Sequence, residues 1–319
     1  MGTSWTVKLL YPNSKVSQAV LMVSIQEALA RITQQMSTWD AGSTISQLNH
    51  AQPGWYQLPT ELFHVLSHAL DVAKASSGAY DPTLGQLVDL WGFGPAGPIT
   101  ATPDERSIAN ALANTGWRRA VLNPEHRAVW QPGGLHFDLS SIAKGYGVDQ
   151  IAAVLDQHQI EHYLVEVGGE LKARGHRIDS SPWTVAIEVP EHTERNAGDP
   201  QGKTVTASTL AISLNDYAIA TSGDYRRYVE LDGRRYAHTL DSATGLPLAH
   251  NLISVSVLHP QCMVADALAT ALLSMGPQCG PAYARGNGIP ALFIHRDSDG
   301  LAVEWTAGFQ SFAQSSPSR

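Results

Sequence analysis

The run YLVEVGGELKAR, residues 163–174, sets two alternating stretches about Gly168-Gly169. Alternation with period two marks a strand with one buried face, and a glycine pair supplies the positive φ angles that a tight antiparallel turn requires. The pattern returns in YVELDGRRYAHTLD around Asp232-Gly233 and in ALFIHRDSDGLAVEWT, while TSWTVKLL and LISVSVL read as further strands. Helical periodicity occupies separate places. It covers VSQAVLMVSIQEALARITQQMS, then TELFHVLSHALDVAKASSG with Thr60 as N-cap and Gly78 beyond its end. A third helix should open at Ser140 or Ser141, after a short strand ended by Asp138, and TWDAGSTISQLN reads as a loop. Hairpins mixed with detached helices predict the α+β class with mixed or antiparallel sheets, and no internal repeat is visible.

The chain has 319 residues, 43% hydrophobic and 16% charged, enough for one large or two moderate domains with a proper core. A net charge of −8 with only 21 Lys and Arg argues against a broad nucleic-acid footprint, so any phosphate must be met locally. Cys262 and Cys279 form no CxxC and read as core thiols. No stretch of ~18 apolar residues is present to cross a bilayer, and a removed leader is left open. Residues 191–204 read as a polar loop. Within it GDPQGKT fails the Walker spacing, which would put the first glycine at Ala197, and Pro200 sits inside the would-be nest. HQIEH, His158 to His162, matches HxxEH where a helix is ending, and GYGVDQ has Gln150 in place of the third glycine of a dinucleotide fingerprint.

VADALATALLSMG, residues 264–276, repeats Leu268, Leu272 and Met275 like the buried stripe of an amphipathic helix, yet places Asp266 and Thr270 one turn apart on one face. Either Asp266 lies in the first turn and answers the helix dipole, or the pair offers oxygen ligands to a hard metal. In HFDLSSIAKGYG, the N–H groups of a helix start with Lys144 in its first turn suit a phosphate, although an ordinary capped helix with a solvated lysine reads the same. Gly145 and Gly147 there permit close approach by a ligand or another backbone. GAYDPTLGQLVDLWGFGP gathers Tyr80, Trp91 and Phe93, which could stack a ring or fill a core, and YAHTLD brings His238 near Asp241 on a strand.

Together, MGTSW, MSTWDAGSTISQLN, GAYDPTLGQLVDLWGFGP, DLSSIAKGYGVDQIAAVL, YLVEVGGELKARG, ATSGDYRRYVELDGRRYAHTLDSATGLP, HNLISVSV and ADALATAL resemble the ApbE family of FAD:protein FMN transferases over nearly the whole chain. The resemblance implies a single-chain, T-fold-like α+β domain over residues 1–319, ending in a tail from about 312, with a central FAD cleft and Mg²⁺ at the pyrophosphate. It implies FAD contacts from Met1, Trp39, Asp40, Ala41, Ala79, Tyr80, Asp81, Asp138, Lys144 and Leu240. Metal ligands would come from Ser141, Asp266 and Thr270. The family usually has Tyr at Trp39, and some relatives carry a carboxylate at Ala269. The implied reaction moves FMN from FAD to a Ser or Thr hydroxyl of an acceptor protein, releasing AMP, with His238 as candidate base and Asp266 as a second candidate. Alternatives are a Mg²⁺-dependent FAD pyrophosphatase and a non-catalytic FAD store. The family commonly serves subunits of membrane redox-driven ion pumps, and because many relatives are exported or lipid-anchored, the resemblance implies a periplasmic or membrane-anchored setting.

Overall fold

Two of the three expected hairpins lie in one seven-stranded sheet, and the third stands apart as a two-stranded ribbon. The computed structural model describes residues 2–10, 16–189, 208–224, 227–297 and 300–313. Met1, the polar loop 191–204 and the tail beyond 313 lie outside the described residues. The main sheet consists of β1 (Trp5–Leu9), β2 (Tyr163–Val167), β3 (Glu170–Arg174), β4 (Ala218–Gly223), β5 (Leu252–His259), β6 (Ala291–Asp297) and β7 (Gly300–Trp305). Its spatial order follows chain order, and every neighbouring pair is antiparallel. Gly168 and Gly169 adopt φ of 60° and 104° at the β2–β3 turn, the conformation that residues with a Cβ rarely take. The detached ribbon pairs Tyr228–Leu231 with Arg234–Ala237, and Asp232 and Gly233 turn it at φ of 51° and 71°.

Helices fill the excursions between strands: α1 (Gln18–Met36) and α2 (Thr60–Ala75) after β1, α3 (Ala143–Gln157) before β2, and α4 (Cys262–Ser274) and α5 (Gly276–Gly286) between β5 and β6. The α+β expectation therefore holds. On one sheet face Ala220, Val255, Val257 and Phe293 pack against Ala265, Ala269, Leu272 and Leu273 of α4. On the other, Ile219, Ile253, Leu292 and Ile294 meet Trp183, Val185, Ile212 and Leu214 of the ribbon Trp183–Val189/Ser208–Leu214. A third cluster joins Met263, Ala267 and Ala271 to Ile32, Leu62, Leu66 and Phe137, so α4 is covered on two sides.

That position corrects the amphipathic reading of α4. Cys262–Ala267, Ala269 and Ala271–Leu273 are all buried, because the helix is sandwiched between sheet and helical layer and has no wide solvent face. Asp266 is not in the first turn, which holds no acidic residue. The dipole is answered instead by Asp149 of α3, whose carboxylate accepts the N–H groups of Cys262 (3.1 Å) and Met263 (2.9 Å).

Other local expectations shift. Helix α2 begins at Thr60 with Pro59 preceding it, and Gln35 Oε1 supplies the cap by accepting the Leu62 N–H at 3.1 Å. Helix α3 begins at Ala143, after a turn through Ser140 and Ser141, and Asp138 ends no strand. It forms a turn in which its Oδ1 accepts the Ser140 N–H at 2.7 Å. The expected loop TWDAGSTISQLN contains a short helix, Thr44–Asn49, capped by Ser43. Cys262 is buried as expected, but Cys279 is exposed because it lies on the outer side of α5.

Helices α3 and α4 meet at Gly145. A Cβ there would fall inside van der Waals contact of the Cys262 carbonyl and 2.9 Å from Asp266 Cβ. Gly145→Ala should therefore lower stability by roughly 1–3 kcal/mol, read as a lower urea midpoint. An unchanged midpoint would mean that the two helices can separate without cost.

Candidate functional site

A cleft of about 310 Å³ opens where α3, β3, β4 and α4 converge. Helix α3 brings Lys144, with Ser140, Ser141 and Asp138 just before it; α4 brings Asp266, Thr270 and Ser274; β3 brings Glu170; and His238 and Leu240 enter from the chain after the ribbon. Ala79, Tyr80 and Asp81 form part of the wall. Asp138 and Val88 also line an adjoining chamber of about 630 Å³ that contains Trp39 and Ala41. The structure thus gathers every predicted cofactor or metal residue into these two spaces except Asp40, which does not line them, and Met1, which is not described. Asp40 is exposed, and its Oδ1 accepts the Gly42 N–H at 2.9 Å, which caps its own turn.

Three charged side chains form the cleft's electrostatic centre. Lys144 Nζ makes a close ion pair with Glu170 Oε1 and lies 3.8 Å from Asp266 Oδ1. Asp266 Oδ2 accepts the Gly145 N–H at 2.9 Å. Glu170 and Asp266 are each 2% exposed, and among the described residues Glu170 Oε2 has no hydrogen-bond partner. Burial raises the Asp266 carboxyl above the ordinary range, with Lys144 and the Gly145 N–H pulling it back. Burial likewise pushes Glu170 up to about 7, opposed by Lys144 and reinforced by Asp266. Burial alone would lower the Lys144 ammonium, but the two carboxylates hold it above its usual value.

Hydroxyl groups complete the wall. Thr270 Oγ1 and Ser222 Oγ are 2.8 Å apart, and Ser141 Oγ–H donates to the Tyr80 hydroxyl at 3.1 Å. Asp81 is occupied in holding its loop: it accepts from Thr83 N (2.8 Å), Thr83 Oγ1 (2.6 Å) and Trp117 N (3.0 Å). Trp91 and Phe93 pack in a core with Leu87, Ile108 and Leu240, whereas buried Tyr80 borders the cleft. His238 lies just past the ribbon strand, not on it, with Nδ1 3.0 Å from the Arg227 carbonyl. A carbonyl only accepts, so Nδ1 carries the proton and the neutral ring keeps its lone pair on Nε2. Burial pushes this imidazole down to about 4.

Among the described residues, no group of three or more His, Cys, Asp and Glu side chains converges as a metal cluster. A buried carboxylate beside hydroxyl oxygens still fits Mg²⁺, which takes one or two carboxylates and completes its shell with phosphate and water. The unpartnered Glu170 Oε2 and the net negative charge of the Asp266–Lys144–Glu170 group mark a place that a cation would stabilise. Glu170, Ser222 and Arg227 were not singled out from sequence. Glu170 follows the hairpin glycines, where its letter reads as one more alternating strand position.

The frame defines a class: an α+β protein whose antiparallel sheet and buried helix enclose a cleft lined by carboxylates, hydroxyls and a lysine. Within that class the chain belongs to the ApbE family, whose sequence profile matches residues 1–293. It is similar to the FAD:protein FMN transferase of Vibrio cholerae, 37% identical over 313 residues that cover 98% of this chain and 90% of that protein. The FAD:protein FMN transferase of Escherichia coli K12 is 34% identical over 316 residues, 98% of this chain and 87% of that one. The solved flavin transferase ApbE from Vibrio cholerae superposes with a TM-score of 0.88 at 36% identity, covering 98% of this chain and 96% of that chain.

Proposed function

We propose that this protein transfers FMN from FAD to a Ser or Thr hydroxyl of an acceptor protein with Mg²⁺, releasing AMP. The observation that carries this reading is that Asp266 and Thr270 of α4 face Ser141 and Lys144 of the α3 entrance in one cleft, with His238 on its rim. Asp266, Thr270 and Ser141 are the proposed Mg²⁺ holders. Bound there, the ion supplies Lewis-acid neutralisation of the diphosphate.

The chain's own residues do the rest. The Thr270 and Ser222 hydroxyls are 2.8 Å apart and either can donate; with Ser222 as the acceptor, Thr270 would keep its lone pairs for the cation. Lys144 neutralises phosphate charge as AMP departs. His238 Nε2 takes the acceptor's hydroxyl proton. The acceptor oxygen bonds to the FMN-side phosphorus, the bond from that phosphorus to the bridging oxygen breaks, and AMP leaves with that electron pair. Trp39 and Ala41 in the adjoining chamber, with Ala79, Tyr80, Asp81, Asp138 and Leu240, are the proposed nucleotide wall. The fit of His238 is in its tautomer: the Arg227 carbonyl fixes the proton on the nitrogen that is not needed.

The experiment mixes the protein, FAD, Mg²⁺ and a flavin-accepting domain and weighs the acceptor. A mass gain of one FMN phosphoester with stoichiometric AMP is expected. Free FMN with an unmodified acceptor would instead identify a pyrophosphatase, and bound FAD without AMP a storage protein. Among the described residues no helix is long and apolar enough to cross a membrane. A membrane redox-pump subunit as acceptor and a periplasmic setting belong to the same proposal, and cell fractionation that found the protein only in the cytoplasm would overturn the setting.

A further inference from the structure

The cleft holds two buried carboxylates and one ammonium, and their spacing is unequal. Lys144 Nζ is closely paired with Glu170 Oε1, while Asp266 Oδ1 lies 3.8 Å away, beyond hydrogen-bond reach. The other oxygen of Asp266 is already engaged by the Gly145 N–H at 2.9 Å. Oδ1 is therefore the oxygen left for a cation, and Lys144 is the group that would cover it. Both belong to the helical layer, Lys144 on α3 and Asp266 on α4. Glu170 instead belongs to the sheet, where its backbone is fixed by pairing with Val167 across the hairpin.

We propose that Glu170 is a positioning residue that holds the Lys144 ammonium off Asp266, keeping Oδ1 open for the divalent cation. This rests on the reading of Asp266 as the cation's ligand. Without the Glu170 charge, Asp266 is the one carboxylate among the described residues left in ion-pair reach of the ammonium. An ion pair between Lys144, whose side chain is 32% exposed, and the buried Asp266 would then compete directly with the metal, because a buried carboxylate is stabilised by whichever counter-charge reaches it. Glu170 acts through Lys144; it is not itself placed among the ligands. A carboxylate at this sheet position thus lets one cleft carry both a lysine for phosphate and an open carboxylate for metal, two groups that would otherwise neutralise each other.

The test is Mn²⁺ titration followed by electron paramagnetic resonance, with Mn²⁺ standing in for Mg²⁺, on the FAD-free protein at about pH 8. Glu170→Gln keeps the side-chain volume and removes the charge. It should weaken Mn²⁺ binding by about tenfold or more, the scale on which groups that orient ligands act. In a Lys144→Met background there is no ammonium to restrain, and the same Glu170→Gln change should cost about threefold or less, a coupling that the double-mutant cycle isolates. Equal losses in both backgrounds would show that Glu170 acts as a ligand or a plain charge, and no loss in either would show that it does not act on the cation; each result overturns the proposal. Asp266→Asn is the control: if it binds Mn²⁺ as the wild type does, the ligand assignment has failed, whereas loss in Asp266→Asn with none in Glu170→Gln sinks the positioning role alone. Thermal melting of each variant separates these readouts from misfolding.

Discussion

Asp266→Asn should reduce Mg²⁺-dependent flavin transfer by about a thousandfold while the protein melts at or above the wild-type temperature. Asparagine keeps an oxygen for the Gly145 N–H, so the junction between α3 and α4 retains the bond that Asp266 Oδ2 makes at 2.9 Å. Only the charge is lost, and Lys144 keeps Glu170 as its partner. Burial raises the folded-state pKa of Asp266 above its unfolded value. Its contribution to stability is therefore fully present below about pH 4 and is lost as pH rises through the folded pKa, because the native state binds the proton more tightly. At neutral pH the wild type carries this cost and the Asn variant does not. Melting temperatures collected from pH 4 to 8 should accordingly fall less with pH in the variant. Transfer at wild-type rate with ordinary Mg²⁺ dependence would remove Asp266 from the site.

His238→Ala should lower kcat by about a hundredfold to ten-thousandfold, the usual worth of a general base, with little change in FAD affinity. With the ring pushed down to about 4 by burial, it stays neutral and able to accept a proton well below the ordinary histidine range. The wild-type acid limb assigned to this group should therefore centre near pH 4 and not near 6.5, with the rate rising as the ring loses its proton. Single-turnover measurement of AMP release across pH 3.5 to 8 gives both results at once. Unchanged turnover in the variant would exclude the base role.

The two carboxylates of the cleft differ in how they could be found. Asp266 is conspicuous in the sequence because an acid and a hydroxyl one turn apart are out of place among alanines and leucines. Glu170 is inconspicuous because in an alternating strand the same letter reads as a solvent-facing position; only the packing of α3 and α4 over β3 makes it buried. The cap of α4 was similarly hidden. Asp149 reaches Cys262 and Met263 across more than a hundred residues of chain, and a search for local capping letters has no access to such a partner. The strand expected before Asp138 failed for a related reason: its apolar alternation is used by Leu135, Phe137 and Leu139 to enter the helical core, and among the described residues its strand pairing is limited to an isolated bridge between His136 and Leu84.

Local letters determined the hairpins at Gly168-Gly169 and Asp232-Gly233, the long helices α1 to α4 and the α+β class, because turn stereochemistry and side-chain periodicity act over a few residues. They marked the Asp266/Thr270 pair as out of place, and the metal role for it came from the family resemblance. Tertiary structure alone decided that α4 is covered on both its sheet side and its helical side, that Gly145 is a helix contact, and that Glu170 shares Lys144 with Asp266. Those facts depend on which surfaces exclude water together, and the resulting burial and charge balance belong to the assembled cleft and to no single segment of it.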